Sequence, residues 1–280
     1  MVKMKVELKT QEEKQETKPC SKSRRNFLAG SAALIVTGVS SSLLGANFAS
    51  SAKRDDDPLP LPWKWVTLDP LEAGRRAFKF YTEKGGCGAA SYQSILSLLK
   101  EKAGHPWTTL PDEMMTHAGS GYGGQGTLCG ALGGASCIIS LAMYAPGKDA
   151  DYSKMISWLF NWYSEQDFPV TRFDDLSTHP DQMKVKPMSP LCHTSVSSWV
   201  TKSGVSINSP EKIQRCSKVA AEVVYQVVQA INDYYEKKWT AAVMKPKKEV
   251  EHCVTCHGTK GANNQQGQME CVMCHDDHTK

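Results

Sequence analysis

SPEKIQRCSKVAAEVVYQVVQAINDYYEKK, residues 209–238, decides the fold class. Ser209 ahead of Pro210 and Glu211 reads as an N-cap, a proline at the first helical position and an acid in the first turn. Behind it Ile213, Cys216, Ala220, Val223, Val227 and Ile231 recur at spacings of three and four, which is one apolar face of a helix. A long helix to about Lys238 is predicted, with Cys216 turned inward.

The same punctuation recurs upstream. Asp69-Pro70 opens a helix that Gly85-Gly86 stops, and a second runs from about Gly88 to Ala103, ended by Gly104 and Pro106. Pro111 opens a short helix. After a glycine-rich loop, residues 119–126, an apolar Gly/Ala-rich helix spans about Cys129 to Tyr144. Its small residues Gly130, Ala131, Gly133, Gly134 and Ala135 allow backbones to approach closely, so it is the expected central helix. Another helix covers about Tyr152 to Ser164. No run alternates like a strand. The expected fold is mainly α: a helical bundle-like domain over 53–244, then a short irregular segment over 245–280, with a leader over 1–52.

The 280 residues are 40% hydrophobic, enough for a sizeable core. The net charge of +4 is accounted for by the first 52 residues, where eight Lys/Arg meet four Glu. The rest is near neutral, which argues against nucleic-acid or acidic-membrane partners. Ser23-Arg24-Arg25-Asn26-Phe27-Leu28, followed by a Gly/Ala/Ser-rich apolar stretch to about Ala46 and small residues up to Ala52, resembles a twin-arginine export signal. The stretch is short and broken by Gly38, Ser40, Ser41, Ser42 and Gly45, so cleavage near Ala52, no retained anchor and a periplasmic product are expected.

The tail carries Cys253-Val-Thr-Cys256-His257 and Cys271-Val-Met-Cys274-His275. Two thiols and an imidazole at this spacing capture both vinyl groups of a haem and bind its iron from one face. Cys253, Cys256, Cys271 and Cys274 are the predicted thioether residues, and His257 and His275 the proximal ligands of two haem c groups. A zinc ribbon would use the four cysteines alone and would not need a histidine after each pair. With 13 residues between His257 and Cys271, the two macrocycles must lie close together. The surplus of histidine favours bis-His ligation, with His193, His252 and His278 as distal candidates. The polar segment cannot bury much apolar surface alone, and the haems would supply its core.

Twin-arginine export carries folded proteins, whereas haem c is attached after export, so the leader points to a second centre assembled in the cytoplasm. Five cysteines, Cys87, Cys129, Cys137, Cys192 and Cys216, lie in the helical region. Cys87 and Cys129 fall at helix N-termini, where amide donors and the helix dipole stabilise an anionic iron-thiolate cluster. Buried free thiols or two disulfides fit the same positions.

Gly86-Cys87-Gly-Ala-Ala-Ser-Tyr92, then Gly121-Tyr-Gly-Gly-Gln-Gly-Thr-Leu-Cys129-Gly-Ala-Leu-Gly-Gly134, then Cys192 and Cys216, resemble the helical redox proteins named for a Cys, Gly-Cys-Ala-x-x-Gly, Cys, Cys pattern. Leu128 stands where that pattern has Gly. With the haem motifs added, residues 65–280 resemble the split-Soret cytochromes c of sulfate-reducing bacteria. The resemblance implies a homodimer, stacked bis-His haems with a ligand donated across the dimer, and a 2Fe-2S cluster on Cys87, Cys129, Cys192 and Cys216. Cys137 is then a core residue. The function expected is electron transfer; the competing class is a haem reductase of a small nitrogen or sulfur oxyanion, which needs an open iron position. No other catalytic constellation is present, and the glycine loop lacks the strand and Lys-Ser/Thr ending of a phosphate loop.

Overall fold

The computed structural model describes residues 59–147, 150–240 and 248–278. The leader lies outside them. Among the described residues there are seven α-helices: α1 (Pro70–Lys84), α2 (Cys87–Lys102), α3 (Gly130–Met143), α4 (Ala150–Glu165), α5 (Cys192–Ser203), α6 (Pro210–Tyr235) and α7 (Lys248–His257). The only β pairing among them is two isolated bridges. No described helix is long and apolar enough to cross a membrane.

The caps act as the sequence implies. Asp69 Oδ1 accepts from the backbone N–H of Leu71 (2.8 Å) and of Glu72 (3.3 Å), and Ser209 Oγ accepts from that of Lys212 (3.2 Å). α6 is the spine: α1, α2 and α3 all pack on it, and α2 lies between α1 and α3. Val223, Val227 and Ile231 are fully buried on its core face. Ile213 departs from the predicted stripe, at 43% exposed in the first turn of α6. Asn232 ties the incoming chain to this spine: Oδ1 accepts from Trp65 Nε1 (3.0 Å) and Leu68 N (3.2 Å), and Nδ2 donates to Leu68 O (2.7 Å).

Three other boundaries differ from the sequence reading. Pro111 opens no α-helix; a turn follows it and ends in a 3-10 turn, Thr116–Ala118. Residues 192–203 form α5, whose Ser- and Thr-rich sequence lacks an apolar period strong enough to announce it. The tail is not irregular throughout, since its first haem motif ends α7.

α2 and α3 touch backbone to backbone. A Cβ at Gly134 would run into Gly88 O and come within 3.0 Å of Tyr92 N. Backbone atoms in a helix cannot step aside, so Gly134→Ala should destabilise the protein by about 2 kcal/mol despite alanine's better helix propensity. The check is the urea midpoint, which should fall at unchanged slope; a rise would refute the close contact.

Candidate metal centre and haem segment

The Gly-rich loop builds the first site. Gly121, Gly123, Gly124 and Gly126 all have positive φ, joined by Ser120 and Tyr122, so the chain coils tightly enough for Thr127 N to bond Gly121 O at 3.1 Å. The segment leaving the loop then lies antiparallel to the start of α5. Cys129 N donates to Pro190 O (2.9 Å) and Cys192 N to Thr127 O (2.7 Å), which places Cys129 and Cys192 side by side. Cys87 begins α2 beside Gly130, and Cys216 faces the same spot from α6.

These four cysteines line one cavity with Tyr81, Tyr163, Arg215 and Lys212. Its volume of about 30 Å³ admits a few atoms and is far too small for a porphyrin. All nine described cysteines are free thiols, so the cavity contains no disulfide. Cys137, half-buried on α3, is not part of the lining. Among the described residues no three His, Cys, Asp or Glu side chains converge as a single-ion site.

The electrostatics favour a thiolate at Cys129 and the neutral thiol at Cys87 and Cys192. A hydrogen bond from Cys87 holds the Cys129 thiol down at about 6 against the cost of burial, with Tyr163, the Ala131 backbone N–H and Arg215 assisting. Cys87, which keeps the shared proton, is pushed well above the usual thiol range by that bond and by burial. Burial, then the charges of Cys129 and Cys216, pushes Cys192 up to about 12. Four crowded thiols cannot all ionise without a cation among them. Iron would provide it, and all four side chains face a space of cluster size, so the residues fit an iron-sulfur group held by Cys87, Cys129, Cys192 and Cys216.

Arg215, Tyr81, Tyr163 and Ser195 were not singled out from sequence. Arg215 lies one residue before Cys216 and off the apolar stripe of α6, so nothing in the sequence marked it. Gly130 was also undervalued: a Cβ there would strike Ala118 O and lie 2.6 Å from Cys87 Sγ, so only glycine lets Cys87 reach the cavity.

The tail forms the second site. Cys253, His257, Cys271, His275 and His278 share a cavity of about 510 Å³, within the range that holds a cofactor. Nδ1 of His257 lies 3.0 Å from Asn264 Oδ1 and donates to it, which leaves Nε2 free for iron. The ring of His278 stands 5.8 Å from that of His257. Burial first, then the nearby Cys253, raises the Cys271 thiol. Met269, Val272 and Met273 are exposed here, apolar surface that a haem would cover. These features fit haem in this segment, with one cysteine of each motif in the cavity lining; Cys256 and Cys274 are exposed outside it. The structure leaves His193 and His252 outside this cavity: His193 is exposed at the start of α5, its backbone N–H on Gly126 O, and His252 is exposed on α7.

Residues 90–231 match the family model of the C_GCAxxG_C_C redox-active proteins. Split-Soret cytochrome c of Desulfovibrio desulfuricans is 31% identical over 265 residues, covering 90% of this chain and 94% of that protein. The chain belongs to the split-Soret cytochrome c family. A solved structure, described as a novel iron centre in the split-Soret cytochrome c of the same organism, matches with a TM-score of 0.70 and 31% identity over 76% of this chain and 90% of that one. The mainly helical split-Soret fold is thus shared. Within the family pattern, Leu128 and Gly130 are this chain's departures, flanking Cys129 on both sides. Leu128 forms the bridge to Leu191 that aligns Cys129 with Cys192.

Proposed function

We propose that the chain is a periplasmic electron carrier, exported by the twin-arginine route and acting as a homodimer. Each chain carries two haem c groups, bound through Cys253, Cys256 and His257 and through Cys271, Cys274 and His275. A 2Fe-2S cluster sits on Cys87, Cys129, Cys192 and Cys216. The sixth iron positions are filled by histidines drawn from His193, His252 and His278, one of them donated by the second subunit.

The observation that carries the reading is that both motif histidines, His257 and His275, face one cavity. Irons held that close exchange electrons rapidly, and a haem with imidazole on both faces keeps no position for a substrate. Family membership supports the haem-iron redox chemistry, and the thiol-lined cavity supports the second centre.

The test is ligand addition to the reduced, matured protein. A low-spin spectrum unmoved by carbon monoxide, cyanide or nitric oxide supports a carrier. A spectrum that shifts, together with turnover of nitrite or sulfite, would instead indicate a reductase.

A further inference from the structure

Arg215 is buried to 1% exposure. Its Nη2 donates to Ser195 O (3.2 Å) and Ser195 Oγ (2.8 Å), its Nη1 faces Cys216 Sγ at 3.8 Å, and its buried Nε has no partner. Ser195 is itself fixed, since Tyr163 Oη donates to its Oγ at 2.9 Å.

No carboxylate pairs with this guanidinium among the described residues; Lys212, half-buried, is the other cation of the cavity lining, and two further cations nearby are paired. Lys218, equally buried, meets Asp174 at 2.6 Å, and Arg172 meets Glu222 at 3.0 Å. A guanidinium stays protonated in a protein, and a buried charge without a counter-charge is strongly destabilising. Beyond Ser195 and the Trp199 ring, whose centroid lies 6.0 Å from its Cζ, what Arg215 faces is sulfur. Its charge is therefore set against the thiolates of the four-cysteine cavity, and it complements an anionic group held by them.

We propose that Arg215 is the resident counter-ion of the four-cysteine centre, raising its reduction potential. The proposal rests on the cluster reading above. A 2Fe-2S cluster with four thiolates is a dianion when oxidised and a trianion after accepting one electron from a ferrous haem or a chemical reductant. A fixed positive charge at Cys216 stabilises the second form more than the first. Ser195 and Tyr163 position that charge.

The experiment is a redox titration of the full-length, matured protein followed by electron paramagnetic resonance, with R215M and R215Q as neutral variants and R215K as the charge-keeping one. The reduction constant of the cluster should fall at least tenfold in both neutral variants, ~59 mV for one electron. R215K should retain most of the wild-type value, and the haem potentials should not move. A second readout is stability with the cluster in place, where R215M should unfold at lower urea than R215K, because only the second keeps a cation beside the anionic cluster.

An intact cluster whose potential is unmoved in R215M and R215Q overturns the counter-ion role alone. Wild-type protein free of non-haem iron overturns the cluster reading and this inference together.

Discussion

Cys129→Ser is expected to lower the non-haem iron and acid-labile sulfide of the purified protein at least tenfold while the haem count stays the same. Loss of a group that only orients a metal ligand costs about 10–100-fold in affinity, and Cys129 is placed here as a ligand. It is the thiol that the site makes most acidic, held at about 6 by Cys87 and assisted by Tyr163 and Arg215. A serine hydroxyl fills nearly the same space but stays protonated, so the packing is kept and the metal site is not. The haem motifs begin at Cys253, outside the four-cysteine cavity. Colorimetric iron and sulfide assays beside a pyridine haemochrome spectrum provide the check, and sulfide retained at the wild-type level would remove Cys129 from the ligand set.

The second large effect is expected at the tail. Replacing both Cys253 and Cys256 with alanine should halve the pyridine haemochrome absorbance per chain and leave acid-labile sulfide unchanged. Both thioether bonds of the first motif are lost, while Cys271, Cys274 and His275 remain intact. The remaining haem should also become easier to perturb, because its neighbour in the shared cavity of His257 and His275 has gone. Apolar side chains such as Val272 and Met273 would then be left without cover, and the tail should become more susceptible to proteolysis. Absorbance equal to the wild type would mean that the motif does not attach haem.

The helical domain was largely legible because its signals are local. Asp69-Pro70 and Ser209-Pro210 are caps that act within one turn, and the stripe on α6 needs only its own sequence to show a face. α5 was missed for the converse reason: Cys192–Ser203 is set by its pairing with Thr127 and Gly126, partners about 65 residues away, and its side chains are mostly polar. The Cys-x-x-Cys-His spacing points to covalent haem chemistry by itself, so the tail could be read without a fold. The distal histidines could not, because spacing says nothing about which imidazole the fold brings near; the structure puts His278 beside His257 and leaves His193 on α5.

The four-cysteine centre lies between these cases. Cys87 and Cys129 were recognisable as helix starts, whereas their approach depends on Gly130 lacking a Cβ and on the coiled loop at 119–126. Arg215 was invisible in sequence because a single arginine on an amphipathic helix usually faces water. Only the packing of α5 and α6 around it shows a cation enclosed with sulfur.

The central claim is that one chain holds two kinds of iron centre, and the most direct test is its stoichiometry. Total iron, acid-labile sulfide and haem should be measured on the same sample of matured protein. The account predicts two haems from the two motifs, with two further irons and two sulfides from the cluster. Haem iron alone with no sulfide, or zinc in place of iron, would contradict it.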